Sequence, residues 1–560
     1  MNLMGGLVDI RFGRPTLAGI GAALSLLASA GVFAQAVPTP GSVGDTVRRP
    51  AEPAPVPQAP AVDAPVPATS APPADGPMLQ VDRFEISGNS ALSTETLLAA
   101  VASSTGRRLS LAEIYAVADQ LTGLYRDRGY KLATVIVPAQ RVSGGVVRLE
   151  VLEGRVGKLD FDGNRRYRSD FLRERIHGVD PGTILSTETL KEQLLHLNEL
   201  PGLSTRATIT PGASAGTSDI LVHASERPWE AQLRIDNFGR VTIGEWRAQA
   251  VGVLNNPIGF GDRLRLDIVH AESGLLDYGR FDYELPVGPW GTRANVYFSH
   301  YDYDVLTKRL GPAFLGTQIG GSGENFGVAF VQPVLRGASD RLVVSAAFDR
   351  TVTHQDGLLS DSRNLSLFRL GAAYSHAWKN RAVSSLVGEV STNFDNLDDD
   401  IAGFENNAQT FKLRVDAAHL MPLPASWSML VRMSGVLSMD PLMDVERFRI
   451  GGPGSVRAFS AAEFAGDQGI DATIELSRPL RIVPALPSTV RVFYDAGVVY
   501  RRKPGAGENK TDGLTGVGVG LSTRVMDRLE IDFQVVTPTT AYRAGDGRDT
   551  RLWLSLQAEF

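Results

Sequence analysis

The sequence predicts a transmembrane β-barrel of about 16 antiparallel strands, preceded by two small α+β modules. Three observations carry this prediction. Apolar and polar residues alternate at period two over roughly the last 330 residues. The alternating segments run about ten residues each, the length a tilted membrane strand needs. Nearer the N-terminus, a strand ending in a Gly-Asn turn recurs after 75 residues.

Composition alone points elsewhere. The chain has 560 residues, 43% of them hydrophobic, a formal net charge of -6 and no Cys. After the N-terminus no apolar run approaches the ~18–20 residues of a membrane-spanning helix. Strand periodicity resolves this, because alternation hides an apolar wall from any running average. The missing Cys excludes a disulfide framework and thiolate metal sites. The acidic balance argues against nucleic acid as a partner.

Residues 1–34 read as a secretory signal. Arg11 and Arg14 precede an apolar stretch from Leu17 to Ala30, and Val32-Phe33-Ala34 supplies a cleavage site. Residues 35–78 read as an extended spacer, since 12 of the 32 prolines lie between Pro38 and Pro77. The Pro and Gly content there argues against a stable helix.

The first module spans 79–154. Its opening strand is Phe84-Glu85-Ile86-Ser87, ended by Gly88-Asn89. Ser110 and Glu113 form a capping-box pattern, and Ile114, Val117, Leu121, Leu124 and Tyr125 follow at helical spacing. Strands are expected from Ala133 to Pro138 and from Val146 to Leu152. The second module, 155–227, repeats the design: Leu159 to Asp162, then Gly163-Asn164, a Leu190, Leu194, Leu197 stripe, and strands from Thr205 to Thr210 and Asp219 to Ala224.

Residues 228–560 carry the strand array. Leu264, Leu266 and Ile268 alternate with Arg265 and Asp267; Leu529, Ile531, Phe533 and Val535 alternate with Glu530, Asp532 and Gln534. Between the expected eleventh and twelfth strands, within 439–466, lies an unusual loop, Phe448-Arg449-Ile450-Gly451-Gly452-Pro453-Gly454-Ser455-Val456-Arg457-Ala458-Phe459. No Gly-Lys-Ser/Thr follows, so it is not a phosphate loop. Further on, Arg491, Phe493, Asp495 and Gly497 share one strand face; the opposite face is apolar, so Asp495 points into the lumen. The next strand turns Gly516, Gly518 and Gly520 to one face and leaves space there. The loop is therefore expected to fold into the barrel, where Arg457 meets Asp495 as a poorly solvated pair.

Several of these features carry a resemblance. The β-α-α-β-β order, with Tyr125-Arg126-Asp127-Arg128-Gly129-Tyr130, Val137-Pro138-Ala139-Gln140 and Leu197-Asn198-Glu199-Leu200-Pro201-Gly202, resembles POTRA domains. Gly451 to Phe459 resembles the VRGY/F motif of outer-membrane assembly factors and secretion translocators, with Val456, Arg457 and Phe459 in place and Ala458 where Gly is usual. Phe493-Tyr494-Asp495-Ala496-Gly497 resembles the partner FxDxG motif. Asp236 to Gly239, Asn256 to Asp262 and Gly466 to Gly469 also fit. Two POTRA-like units point to the two-partner secretion translocators, the ShlB/FhaC/HecB-like haemolysin and haemagglutinin secretion proteins (TpsB).

That resemblance implies an outer-membrane transporter with periplasmic POTRA domains. It would export one large, unfolded exoprotein of adhesin, haemagglutinin or haemolysin type. The Arg457–Asp495 pair would hold the loop in its working position. Phe560, after Leu552, Leu554, Leu556 and Ala558, resembles the C-terminal signal read by the barrel-assembly machinery. Lipid is the other expected partner, and the barrel is expected to be a monomer. An assembly factor of the same superfamily is the alternative; two rather than about five POTRA units weigh against it. A plain porin lacks such modules. No cofactor or enzyme is expected. The eight His are scattered without metal-ligand spacing. Gly212-Ala213-Ser214-Ala215-Gly216 mimics a nucleophile elbow but falls between two strands.

Overall fold

Sixteen antiparallel strands close into one barrel in the computed structural model, which describes residues 38–47, 62–63, 78–214, 216–310, 314–337, 339–357, 361–393, 410–483, 486–505, 508–526 and 528–560. The first strand, Trp229–Asp236, pairs with the last, Arg551–Glu559, so no edge is left open. Phe560 completes the seam: its amide donates to Ala231 O (2.9 Å). The signal segment 1–34 lies outside the described residues.

Alternation sets the two faces of the wall. In strand 13, Leu486–Tyr500, Val492, Tyr494 and Val498 are exposed on the outside, while Phe493 and Asp495 are buried inside. The inward charges are neutralised locally. Arg and Asp two positions apart share a face and pair along one strand: Arg265–Asp267 (2.7 Å), Arg280–Asp282 (2.7 Å) and Arg414–Asp416 (2.8 Å). Strands 6, 7 and 8 (Gly320–Arg336, Asp340–Asp356 and Asp361–Ala377) run 17 residues each, beyond the expected ten. Their Gly-, Ser- and Asp-rich ends lack an apolar face but stay on the hydrogen-bond ladder, so a hydrophobic pattern misses them.

Two α/β modules stand before the barrel. The first sheet joins Arg83–Ser87, Val146–Leu152 and Thr134–Ile136, covered by helices Thr94–Ala100 and Leu111–Asp127. Ser110 and Glu113 cap the longer helix reciprocally, Ser110 N donating to Glu113 Oε2 (2.6 Å) and Glu113 N to Ser110 Oγ (3.2 Å). The second sheet contains Arg155–Asp162, Thr217–Glu226 and Leu203–Pro211, with helices Ser169–Arg173 and Thr187–Asn198. The repeat in sequence is a repeat in geometry. Gly88 and Gly163 take left-handed φ of 80° and 79°. Asn89 and Asn164 then donate to the carbonyls of Leu92 (2.9 Å) and Tyr167 (2.8 Å). Gly212 lies in the turn between Leu203–Pro211 and Thr217–Glu226, its N donating to Thr217 O (2.9 Å).

The second module rests on one mouth of the barrel. Glu199, at the end of its long helix, pairs with Arg336 (2.9 Å) and Arg341 (3.6 Å) of the wall. His177 stacks on Trp290 of a wall turn, centroids 5.0 Å apart. The loop after strand 11, Ser428–Ser438, therefore leaves the barrel at the opposite mouth, because odd-numbered strands run away from the modules.

One expectation is corrected. The segment 35–78 is not only an extended spacer. Pro40–Val47 is a helix, and Val62–Asp63 is a strand paired in parallel with Ala207 and Thr208. The helix survives the local proline content because Pro40 sits at its first position, where the missing N–H has no helical partner anyway, and no proline follows inside it. Thr39 N donates to Ser42 Oγ (2.9 Å) and Ser42 N to Thr39 Oγ1 (3.3 Å), which supplies the start signal.

Candidate functional site: the inward loop and the pore

The connection between strand 11 and strand 12 (Gln468–Val483) turns back into the lumen as a short hairpin, Phe448–Ile450 with Phe464–Gly466. Two glycines make the reversal possible. Gly451 and Gly452 hold φ of 109° and 91°, where side chains are strained. A Cβ on Gly452 would lie 2.7 Å from Ala461 Cα. Gly454 follows; its carbonyl accepts from Arg432 Nη2 (3.2 Å). Asp467 ties the loop base, accepting the amides of Leu442 and Arg502 (each 2.7 Å).

At the tip, Arg457 is bound on every side. Its Nε and Nη2 donate to the two carboxylate oxygens of Asp495 (2.8 and 2.9 Å), and its own amide adds a third bond to Asp495 Oδ2 (3.1 Å). Nη1 donates to Glu475 Oε2 (2.9 Å). The guanidinium lies over the Phe493 ring, 3.2 Å from its centroid. Thr473 Oγ1 donates to Asp495 Oδ1 (2.9 Å), and Trp553 Nε1 donates to Arg457 O (2.7 Å). Arg457 is 6% exposed and Asp495 0%. Burial disfavours the charged guanidinium, but the bonds and charge of Asp495, helped by Glu475, outweigh it and push Arg457 above its usual range. An ion pair this dry is rigid, because breaking it strands a buried charge.

Packing surrounds the pair. Val456 and Phe459 are buried in one cluster with Ile450, Phe493, Leu514 and Trp553. Gly497 leaves room for Ile450 and Val456, whose methyls would lie 3.0 and 3.1 Å from a Cβ there. Gly516 faces Ala458: a Cβ on Gly516 would come within 2.5 Å of the Ala458 methyl. Ala458 is not among the residues with positive φ, so its methyl is tolerated. Gly518 makes room for the Phe493 ring, 2.5 Å from a built Cβ. Gly520 differs from expectation. Its neighbours are Arg491 and Gln534 of the wall, because the loop tip reaches only the far-mouth half of strand 14, Thr511–Val525.

The lumen holds more than the sequence reading included. Glu446, on the same loop, is half-buried between Arg369 (2.8 Å) and Lys412 of the wall on the other side. Opposed by burial, these cations still hold the Glu446 carboxyl far below its usual range. The loop thus spans from strands 12, 13 and 16 to strand 8 and strand 10, Phe411–Pro422. The helix Pro40–Val47 fills a second part of the pore. Gly41 N donates to Asp444 Oδ2 (2.8 Å), and Tyr301 of the wall donates to Pro40 O (2.8 Å). Val43 is buried against a cluster that includes Ile243, Leu276 and Tyr303. The inward facing of Thr473 and Glu475 follows from strand parity; the roles of Trp553 and Glu446 have no local signature. Among the described residues, no group of His, Asp and Glu is arranged to hold a metal ion.

Comparison with known proteins assigns this architecture. The family model "Haemolysin secretion/activation protein ShlB/FhaC/HecB" matches residues 216–523, and that of the ShlB-type POTRA domain matches 79–154. The heme/hemopexin transporter protein HuxB of Haemophilus influenzae (strain 86-028NP) is 23% identical over 501 residues, 86% of this chain and 87% of its own length. The hemolysin transporter protein ShlB of Serratia marcescens is 24% identical over 450 residues, 76% of each chain. The solved structure of CdiB from Escherichia coli superposes with a TM-score of 0.68 at 21% identity, covering 89% of this chain and 94% of that one. With its family model matched over more than half its length on a closed 16-stranded barrel, the chain belongs to the ShlB/FhaC/HecB family of haemolysin secretion/activation proteins, outer-membrane transporters that secrete partner exoproteins.

Proposed function

We propose that this chain exports one large exoprotein, captured unfolded on two periplasmic POTRA modules, 79–154 and 155–227, and passed through the barrel 228–560. No catalytic step is involved. The exported protein is of adhesin, haemagglutinin or haemolysin type, and the transporter acts as a monomer in outer-membrane lipid, placed there by the barrel-assembly machinery through its Phe560 end. The observation that carries this reading is the Arg457 anchor. A passive porin has no need of an inward loop bound by one Arg to Asp495, Glu475, Phe493 and Trp553. Here Gly451, Gly452 and Gly454 shape the loop, Val456 and Phe459 seat it, and Gly497, Gly516 and Gly518 leave its space. The far mouth is the extracellular one, and the pore rests closed by loop and helix.

The direct test deletes the chain and follows two things: secretion of large exoproteins into the medium, and the levels of other outer-membrane barrels. Loss of export with normal barrel levels supports transport. Intact export with broad loss of barrels supports the assembly alternative and overturns it.

A further inference from the structure

The outer wall is hollow on the lipid side of strands 10 to 13. There Val415, Gly435, Ile470 and Val498 are register partners in one row. One step nearer the far mouth, Leu413 opposes Leu437 and Gln468 opposes Tyr500. Together they line an apolar groove of about 400 Å³. Gly435 is its floor, three residues from the far end of strand 11. Its φ is not positive, and a Cβ there would come no nearer than 3.4 Å, to Gly469 O. Neither backbone nor packing asks for glycine here, and a side chain at 435 would close the groove. Beyond the groove the chemistry turns basic. Tyr500 ends strand 13 on the outward face, and two cations flank its ring: Arg502 Cζ and Lys510 Nζ lie 6.0 and 5.3 Å from its centroid. Arg502 is held further by the Ser438 carbonyl, to which Nε (3.3 Å) and Nη2 (3.1 Å) donate. Among the described residues neither side chain has a carboxylate partner, unlike the paired arginines of the lumen.

From this we infer a lipid site on the outside of the barrel. The groove takes an acyl chain, and Arg502 and Lys510 take the phosphate, of a phosphorylated and multiply acylated glycolipid of the outer leaflet. The inference rests on the far mouth being the extracellular one and not on what is exported. Three physical points carry it. The height is right, because an outward Tyr at a strand end marks the membrane interface and the two cations stand just beyond it, at head-group level. The charge is right, because cations at that level without carboxylate partners attract an anionic head group. The groove directly below them is hydrocarbon-lined, so it favours a lipid over a free anion. The groove also backs onto the seat of the inward loop. Val436 and Val499, the inward neighbours of Gly435 and Val498, pack in the buried cluster with Phe448, Ile450 and Phe459. A lipid held outside therefore braces the wall on which the loop rests.

The test titrates the full-length chain, held in phosphatidylcholine nanodiscs, with lipid A, with dephosphorylated lipid A and with inorganic phosphate, and counts retained lipid by native mass spectrometry. Lipid A is expected to be retained roughly tenfold more tightly than its dephosphorylated form. Gly435→Leu places an apolar side chain on the lipid face, so the barrel is expected to stay heat-modifiable while lipid A binding weakens by roughly tenfold. Arg502→Gln with Lys510→Gln leaves the groove open and is expected to abolish the preference for the phosphorylated form. Equal retention of lipid A with and without its phosphates overturns the site, as does retention that neither variant changes. Inorganic phosphate that displaces lipid A head-on would overturn the lipid in favour of a plain anion site. Should Gly435→Leu fail to fold, the rim variant alone decides. Orientation is read separately. Because the chain has no Cys, Lys510→Cys is expected to react with a membrane-impermeant thiol reagent on intact cells. Lack of reaction there overturns the outer-leaflet source and places the fault in the orientation, whereas unselective retention in nanodiscs places it in the groove.

Discussion

Arg457 is the residue on which the loop's position depends, and the reason is geometric. Its planar fork reaches both oxygens of Asp495 and also Glu475, while its face covers Phe493. A lysine has one point charge and cannot make this set. Arg457→Lys is therefore expected to lower export while the barrel stays heat-modifiable and folded, and Arg457→Ala to destabilise the loop-in arrangement by about 3–5 kcal/mol by stranding buried Asp495. Removing both partners should cost less than the sum of the two single changes, as thermal unfolding of Arg457→Ala, Asp495→Ala and the double variant will read; strict additivity would show that the pair is not coupled. Ala458 and Gly516 make a second local pair. Gly516→Ala alone drives two methyls to within 2.5 Å and should cost about 1–3 kcal/mol. Adding Ala458→Gly removes the opposing methyl and should restore most of that loss in the same unfolding assay. No rescue would place the strain elsewhere.

At the scale of elements, the modules are set by turns and by carboxylates that the repeat pattern did not reveal. Glu153 accepts from Ser90 N (2.5 Å), Ser90 Oγ (2.5 Å), Ala91 N (2.7 Å) and Tyr125 Oη (3.1 Å). Glu226 does the same for the amides of Arg165, Arg166 and Tyr167 in the second module. Burial pushes Glu153 up, but the bonds from Ser90, Ala91 and Tyr125 together outweigh it and hold the carboxyl below its ordinary value of 4.5. A depressed carboxylate contributes stability in full above its unfolded value and loses it as pH falls through the lower folded one. Amide exchange in the first module of the full-length protein should therefore quicken below about pH 4. Glu153→Gln should weaken that module by about 1–3 kcal/mol at neutral pH and remove its share of the acid response. An unchanged acid profile in this variant would assign the response to another group. The modules' strands and helices were legible because Gly88-Asn89 and Gly163-Asn164 repeat and because Leu121 and Leu194 lie in helical stripes. The locking glutamates were not, because a contact across some 60 residues leaves no local pattern.

Across the whole molecule, period-two alternation made the barrel legible, and strand parity placed Asp495 and the tip of its loop. Parity cannot reach what enters the lumen from outside the wall, and proline content concealed the helix Pro40–Val47. That helix is wedged between the loop and strand 5, Thr292–Asp304, by its Gly41 bond to Asp444 and the Tyr301 bond to Pro40. Gly41 has no room for a side chain: a Cβ would lie 2.6 Å from the Asp444 carbonyl and closer still to Arg449 and to the Asp444 carboxylate. These atoms are fixed, since Asp444 is held by Arg449 (2.7 Å) and belongs to the buried loop. A larger residue at 41 must therefore move the helix rather than its surroundings. Gly41→Leu should expel the helix and raise single-channel conductance in planar bilayers, while Arg457, anchored to Asp495, Glu475 and Trp553, keeps the loop inside. Conductance should rise further only when Arg457→Ala is added. A Gly41→Leu channel that conducts like the wild type would mean that the loop alone closes the pore and the helix is a passenger.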